Sequence, residues 1–157
     1  MVKTNAMRIL DQKKITYEVL EYPHEEGVFL AGDEVAKLLG FDPNNIFKTI
    51  VTIASSKKYY VFVIPVLAEI NLRKCAKVIG EKSLELIHVK TLTDITGYVR
   101  GGCSPIGMKK QFPTFVDETA KALEYMIFSA GKIGYQIKMN PNDLAKLINA
   151  SFFDLKN

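Results

Sequence analysis

Hydrophobic positions change their spacing several times along the chain, and each change marks a predicted element. After the capping candidate Thr4, the apolar residues Met7, Leu10 and Ile15 recur at helical spacing. Residues 16–22 then alternate and are rich in β-forming residues. The chain is therefore predicted to begin with a helix followed by a strand.

The centre of the chain predicts a hairpin between two helices. Residues 46–54 and 59–66 are dense in β-branched and aromatic residues, and a polar tip at 55–58 separates them. Residues 31–40 and 71–80 place apolar side chains on one face, and each segment closes on a glycine, which is typical of a helix end.

Later segments mix the two kinds of element. Residues 91–94 read Thr-Leu-Thr-Asp, the capping-box pattern of a brief helix. The remaining predicted elements are strands at 112–118 and 124–131, a weaker strand at 134–139, a helix at 140–150 with proline in its first turn, and a short strand at 151–155.

This order favours an α+β fold. Helices and strands alternate irregularly and hairpins recur, which argues against strict β-α-β winding. No repeat, low-complexity tract or linker interrupts the chain. We therefore predict one domain over residues 1–157, built on a mixed, mostly antiparallel sheet flanked by helices.

Composition narrows the class of protein. The chain has 157 residues, of which 48% are hydrophobic and 24% charged, as in soluble globular proteins. No apolar run approaches the roughly 20 residues of a membrane span, and charges interrupt the first residues where a signal peptide is apolar. Two cysteines are too few for a disulfide framework. We expect a cytoplasmic protein with no membrane partner.

Positive charge is concentrated in the middle of the chain. Residues 1–47 hold five Lys/Arg and eight Asp/Glu, a net charge of −3. Residues 48–110 hold eleven Lys/Arg and four Asp/Glu, a net charge of +7. Residues 111–157 hold five basic and five acidic residues. Such a segment can face phosphates, or it can be ordinary solvated surface. Its basic residues include Arg73, Lys74, Lys77, Lys82, Lys90, Arg100, Lys109 and Lys110.

The histidines and cysteines do not suggest a metal centre. His24 and His88 stand in unrelated contexts, and Cys75 and Cys103 are 28 positions apart. Because no metal-ligand spacing occurs, we predict no metal and no cofactor. Cys75 is interpreted as a small core residue, and Cys103, with no nearby base, as a neutral loop residue in preference to a nucleophile.

Residues 97–107 hold four glycines, a proline and a cysteine in eleven positions. The pattern is neither that of a phosphate-binding loop nor that of a dinucleotide-binding loop. Gly101 and Gly102 can expose backbone N–H groups to a carbonyl or carboxylate, and Ser104 adds a hydroxyl, so the loop could serve as an oxyanion hole. A plain structural turn is the alternative.

Two further positions are candidates for ligand contact. Lys48 lies in an apolar strand, where it can either extend to solvent or point into a pocket and hold a ligand group. Ser129 begins a third glycine-bearing loop, 129–134, at the end of a strand.

Three motifs in this order resemble the YbaK/EbsC family, single-domain relatives of the editing insertion of bacterial prolyl-tRNA synthetases. They are Lys48-Thr49, the pattern T-G-Y-x-x-G-G-x-S-P-x-G-x-K-K at 96–110, and F-S-A-G-K-I-G at 128–134. The resemblance extends over nearly the whole chain. It implies the family's barrel-like sheet and an aminoacyl-tRNA editing activity in trans.

The family resemblance implies a deacylase. Its YbaK type is similar to enzymes that remove cysteine from Cys-tRNA(Pro) and Cys-tRNA(Cys), often beside prolyl-tRNA synthetase. The implied mechanism is substrate-assisted, because the cysteinyl thiol attacks its own ester carbonyl and leaves as a thiolactone. We expect aminoacyl-tRNA as the substrate, prolyl-tRNA synthetase as a partner, and a monomer.

The resemblance also implies site residues. Lys48 matches the family's essential lysine, and Gly101 matches the loop glycine beside the reacting ester. Tyr22 and Ser129 match pocket residues, and Thr49, Gly102 and Ser104 belong to the motifs themselves. Where some relatives carry Asp, this chain has Gln136, whose amide can bond the substrate amine or thiol.

Other functions remain open at this point. Relatives that clear Ala-tRNA(Pro) tend to pair the lysine with Asn, so Thr49 favours the cysteinyl type over that alternative. Gln136 leaves room for a non-catalytic module that binds tRNA or a synthetase. A thiol redox enzyme would require Cys103 to have a depressed pKa.

Overall fold

The computed structural model describes residues 3–157, which contain five α-helices and eight β-strands. The helices are α1 (Asn5–Gln12), α2 (Gly32–Leu39), α3 (Leu72–Ile79), α4 (Leu92–Thr96) and α5 (Pro141–Ile148). The strands are β1 (Tyr17–Glu21), β2 (Phe47–Ala54), β3 (Tyr59–Pro65), β4 (Leu84–Leu86), β5 (Thr114–Asp117), β6 (Met126–Ser129), β7 (Tyr135–Met139) and β8 (Ser151–Phe153).

The strands form two sheets. One has the order β1-β7-β6, and the other has the order β4-β2-β3-β5-β8. All pairs are antiparallel except β3 with β5 and β5 with β8. The predicted α+β class and the mixed, mostly antiparallel pairing are confirmed.

The sheets do not close into a barrel. They meet through one isolated parallel bridge between Ile46 and Ile127, while the larger sheet ends at β4 and β8, which do not pair with each other. Each of these edge strands is only three residues long. The barrel-like expectation therefore holds only loosely.

Helix ends follow the capping chemistry that the sequence predicted. Thr4 accepts a hydrogen bond from the N–H of Met7 at the start of α1, and Asn71 accepts one from Lys74 at the start of α3. Gly40 and Gly80 end α2 and α3 in the left-handed conformation.

Two local predictions differ from the structure. Thr91 does not cap α4, because its hydroxyl donates to the carbonyl of His88 instead of accepting from the helix N-terminus. Strand β4 was not predicted, because a three-residue segment is too short to show an alternating pattern. It forms by pairing with the last three residues of β2, at 52–54.

The core is divided among several clusters. The largest packs α1 and α5 against strands of both sheets, with Leu10, Phe128 and Leu144 fully buried. A second cluster under α3 contains Cys75, which is fully buried, so its interpretation as a core residue is confirmed. A third anchors residues 98–112 through Tyr98, Met108 and Phe112.

Within residues 3–157, no helix combines the length and the apolar character needed to cross a bilayer.

Candidate functional site

A cavity of about 250 Å³ lies where both sheets, the segment before α2 and the loop 97–107 meet. This is slightly below the roughly 300–1,000 Å³ typical of drug-sized ligands, so it suits a group the size of an amino acid. Its apolar wall consists of Phe29, Leu30, Val35, Ile46, Phe47, Val66 and Leu92. Its polar residues are Lys48, Thr49, Arg100, Ser129 and Gln136, and Gly101, Gly32 and Cys103 complete the lining.

Lys48 reaches the cavity from the second position of strand β2. Phe47, Lys48 and Thr49 are the first three residues of β2, and all three line the cavity, although Phe47 also packs in the main core. Burial lowers the pKa of Lys48, and the nearby charge of Glu69 opposes that shift only in part. No carboxylate of residues 3–157 lies within 4 Å of its ammonium. The charge is therefore available to a ligand.

Thr49 contributes a buried hydroxyl without a partner. Its Oγ1 atom is inaccessible to solvent and makes no hydrogen bond to any described residue. Buried polar groups in folded proteins nearly always have a partner. A ligand in the cavity could supply the missing partner once neighbouring side chains moved enough to expose this atom.

Ser129 and Gln136 face each other across the β6–β7 pair. Gln136 is only 6% exposed, and its amide makes no hydrogen bond to another described side chain or backbone group. The hydroxyl oxygen of Ser129 accepts from the N–H of Gly131 at 3.1 Å, which leaves its own proton free to donate. Both side chains can thus serve a ligand in the cavity.

The loop 97–107 is fixed by Tyr98, a residue to which the sequence assigned no role. Its hydroxyl donates to the carbonyl of Ile106 at 2.6 Å, and burial raises the pKa of Tyr98 to about 12. A Cβ on Gly131 would lie 2.7 Å from the Tyr98 ring, and one on Gly107 would lie 2.8 Å from its hydroxyl. Tyr98 therefore holds the loop against the turn after β6.

The two adjacent glycines of this loop are required for different reasons. Gly101 has φ +84°, and a Cβ there would lie 3.0 Å from Cδ1 of Phe29 in the cavity wall. A Cβ on Gly102 would lie 3.1 Å from the backbone nitrogen of Ile133. Gly101 therefore shapes the cavity, whereas Gly102 allows the two loops to approach each other.

The structure brings five of the eight predicted site residues into the lining, namely Lys48, Thr49, Gly101, Ser129 and Gln136. Tyr22, Gly102 and Ser104 do not line the cavity. Tyr22 is buried against His24, and the Ser104 hydroxyl accepts from the N–H of Ile106. These three residues support the loops around the cavity.

Sequence reasoning missed Phe29 and named Arg100 only as one of the basic residues in the middle of the chain. The guanidinium of Arg100 lies 4.1 Å from the centre of the Phe29 ring, which is 41% exposed. This cation–π contact links the segment before α2 to the glycine loop. The available signal was the apolar run at 28–31, which includes Phe29 and follows the polar residues 24–27.

The basic residues do not all remain free. Lys74 forms an ion pair with Asp154 at 2.8 Å. Arg100, Lys109 and Lys110 are exposed. Arg100 lines the cavity, whereas Lys109 and Lys110 follow the glycine loop, and Nζ of Lys109 donates to the carbonyl of Asp94 at 3.3 Å. Among residues 3–157, no group of three His, Cys, Asp or Glu side chains is arranged to hold a metal ion.

Cys103 lines the cavity but is poorly suited to nucleophilic attack. Burial raises the pKa of its thiol to about 12, and it packs beside the hydrophobic cluster of Tyr98. A thiol with so high a pKa remains protonated at neutral pH, and the thiolate is the reactive form.

We expect alkylation of Cys103 in the folded protein to be very slow. At pH 8 the raised pKa should reduce the thiolate fraction about a thousandfold relative to an unperturbed cysteine. Iodoacetamide labelling followed by peptide mass spectrometry measures this, with the urea-unfolded protein as control. Rapid labelling of Cys103 in the folded state would revive the redox hypothesis.

Comparison with known proteins identifies the family. Residues 25–147 match the family described as aminoacyl-tRNA editing domain. The chain is 45% identical over 153 residues to EbsC of Enterococcus faecalis, which carries the provisional name Cys-tRNA(Pro)/Cys-tRNA(Cys) deacylase, and the match covers 98% of this chain and 93% of EbsC.

More distant matches agree on the fold. The chain is 27% identical to the proline–tRNA ligase of Brachyspira hyodysenteriae, covering 87% of this chain but only 23% of the synthetase. A crystal structure of a candidate trans-editing enzyme for prolyl-tRNA synthetase superposes with a TM-score of 0.83 at 21% identity, covering 100% of this chain and 99% of that one. The resemblance inferred from the sequence motifs is confirmed, and this chain belongs to the aminoacyl-tRNA editing domain family.

Proposed function

We propose that this protein is a trans-editing deacylase that removes cysteine from Cys-tRNA(Pro) and Cys-tRNA(Cys). The observation that carries the proposal is an amino-acid-sized cavity that offers an unpaired ammonium, in a chain 45% identical to EbsC. No histidine or carboxylate of residues 3–157 lines this cavity. Its hydroxyls and its thiol therefore have no imidazole or carboxylate in the lining to activate them.

A substrate that supplies its own nucleophile fits such a site. The cysteinyl sulfur forms a bond to the carbonyl carbon of its own ester, and the bond from that carbon to the ribose oxygen breaks. The proton lost by the thiol is taken up by the ribose oxygen, directly or through water. The released thiolactone then hydrolyses to cysteine.

Lys48 and Gly101 are assigned the main roles in this reaction. The ammonium of Lys48 holds a phosphate, the ribose or the acyl oxygen, because a partly desolvated charge binds such acceptors strongly. The N–H of Gly101 lies in the loop at the cavity wall and has no protein acceptor among the described residues, so it can serve the carbonyl oxygen as negative charge develops.

The remaining polar groups select the amino acid. The amide of Gln136 can bond the substrate amine or thiol, and the unpartnered hydroxyl of Thr49 can do so once it is exposed by movement of its neighbours. The apolar wall and the small volume disfavour larger side chains, although discrimination between similar small side chains is worth only about 1–3 kcal/mol.

The tRNA itself is held by charge. Arg100 lines the cavity, and the exposed Lys109 and Lys110 follow the glycine loop in sequence, so these residues can contact phosphates of the acceptor end without reading sequence. Selection of the tRNA species could then come from prolyl-tRNA synthetase, the partner inferred from the family.

The experiment is hydrolysis of three substrates by the purified protein: Cys-tRNA(Pro), Ala-tRNA(Pro) and Ser-tRNA(Pro). We expect cysteine to be released at least about 100-fold faster than alanine or serine, since neither of these carries a thiol. The measurement is the loss of labelled amino acid from tRNA with time, with protein-free hydrolysis as the baseline.

Each other outcome contradicts a defined part of the proposal. Efficient release of alanine would keep the deacylase function and reject thiol assistance. Stable aminoacyl esters in all three reactions would favour a non-catalytic binding module, the alternative suggested by Gln136.

A further inference from the structure

A second cavity of about 250 Å³ lies beside the first. It is lined by His24, Glu26, Gly27, Val99, Lys132 and Ile133. None of these residues has a role in the proposed deacylation, although Val99 lies within the motif at 96–110 and Lys132 and Ile133 lie within the motif at 128–134.

The wall between the two cavities is one residue thick. Gly101 lines the first cavity, and a Cβ on it would lie 3.5 Å from Cγ1 of Ile133, which lines the second. The segment before α2 borders both, with residues 24–27 at the second cavity and residues 29–32 at the first. A ligand of two linked groups can therefore place one group in each cavity with its linkage at Gly101.

The second cavity combines an apolar surface with hydrogen-bond donors and acceptors. Val99 is 50% exposed and offers its side chain to a flat ligand, together with Ile133. Lys132 supplies a donor and Glu26 an acceptor.

His24 adds a second acceptor. Its Nδ1 atom lies 2.8 Å from the carbonyl oxygen of Tyr22, which can only accept, so Nδ1 carries the proton. In the neutral ring Nε2 is then free to accept. The ring packs edge-on against Tyr22 and Tyr135, and any side chain on Gly134 would collide with it, so its orientation is fixed.

We propose that this second cavity binds the terminal adenine of the acylated tRNA. The inference rests on the proposed function, in which the reacting ester joins the amino acid to the ribose of that adenosine. With the amino acid in the first cavity and the ribose at Gly101, the base extends past Ile133. Adenine presents an amino group to the acceptors, ring nitrogens to Lys132, and an apolar face to Val99.

Binding of the free nucleosides tests the cavity without any reaction. Protein with labelled methyl groups is titrated with adenosine and, separately, with cytidine. We expect adenosine to shift the methyl signals of Val99 and Ile133, and cytidine to bind about tenfold more weakly or not at all. A preference for cytidine, or shifts confined to other residues, would overturn the proposal.

Substitution at Val99 gives the second measurement. Val99→Asp places a charge on the apolar surface and should weaken adenosine binding and lower kcat/KM for Cys-tRNA(Pro) by about tenfold or more. The decrease in kcat/KM should be larger with Cys-tRNA(Pro) as substrate than with cysteine methyl ester, which has no nucleobase. Leu38→Asp on α2 is the matched control, since Leu38 is similarly exposed at 46% and lines neither cavity.

The two proposals fail in different ways. If no aminoacyl-tRNA is hydrolysed but adenosine still shifts Val99, the deacylase function fails and the base-binding cavity stands. If Cys-tRNA(Pro) is hydrolysed, and Val99→Asp and Lys132→Ala lose no more activity than Leu38→Asp, the cavity assignment is wrong and the deacylase function stands.

Discussion

Lys48→Met is expected to lower kcat/KM for Cys-tRNA(Pro) by about 100-fold. Hydrogen bonds to charged groups contribute about 1.5–3 kcal/mol, and the ammonium of Lys48 is partly desolvated in a cavity where it has no protein counter-ion among residues 3–157. Methionine keeps much of the length and the apolar character of the lysine stem, so the substitution removes mainly the charge. Initial rates of deacylation over a range of substrate concentrations measure the effect.

The stability of this variant distinguishes a functional role from a structural one. A lysine whose pKa is lowered by folding holds its proton less tightly in the folded than in the unfolded chain. At neutral pH its charge therefore costs stability, and that cost fades as the pH rises through the lowered pKa. Lys48→Met should unfold at the same or a higher urea concentration than the wild type.

Lys77→Met on α3 is the control for removing a positive charge. Lys77 is exposed and lies outside the cavity. Equal losses of activity in the two variants would mean that Lys48 contributes only to the overall attraction of tRNA. If Lys48→Met lost both activity and stability, the role of Lys48 would be to stabilise the fold and not to bind the substrate.

Local chemistry explains why most elements could be predicted. The caps at Thr4 and Asn71 and the left-handed glycines at 40 and 80 fix helix ends through neighbouring residues alone. The β2–β3 hairpin likewise follows from two dense apolar runs with a polar tip. Strand β4 depends on a partner about 30 residues earlier in the chain, so its own three residues carry no signal.

The site shows the same division between local and distant information. Lys48, Thr49 and Gly101 were recognisable because the family motifs contain them. The two possibilities for Lys48 could be resolved only when the structure placed the lysine in the cavity lining. Phe29 and Arg100 meet across about 70 residues of sequence, and no local pattern encodes such a contact.

Gly101→Ala is expected to lower kcat/KM by about tenfold or more while reducing stability only modestly. The left-handed backbone at φ +84° costs a residue with a Cβ about 1–2 kcal/mol. That methyl group would also press on Phe29 at 3.0 Å and displace the cavity wall. A misplacement of about 1 Å near a reacting ester can cost a hundredfold in rate.

Gly80→Ala separates these two effects. Gly80 has φ +74°, so its substitution carries a similar backbone cost, but a Cβ there would meet nothing within 4 Å and the residue lies outside the cavity. Urea unfolding should therefore show similar losses of stability in both variants. Deacylation, measured at urea concentrations well below those that unfold either variant, should be impaired only in Gly101→Ala. If both variants retained wild-type rates, the Gly101 backbone would not position the ester, and the oxyanion role would pass to another group in the cavity. Because both substitutions place a Cβ at a similar positive φ, any difference in rate reports the contact with Phe29 and the placement of the loop against the substrate.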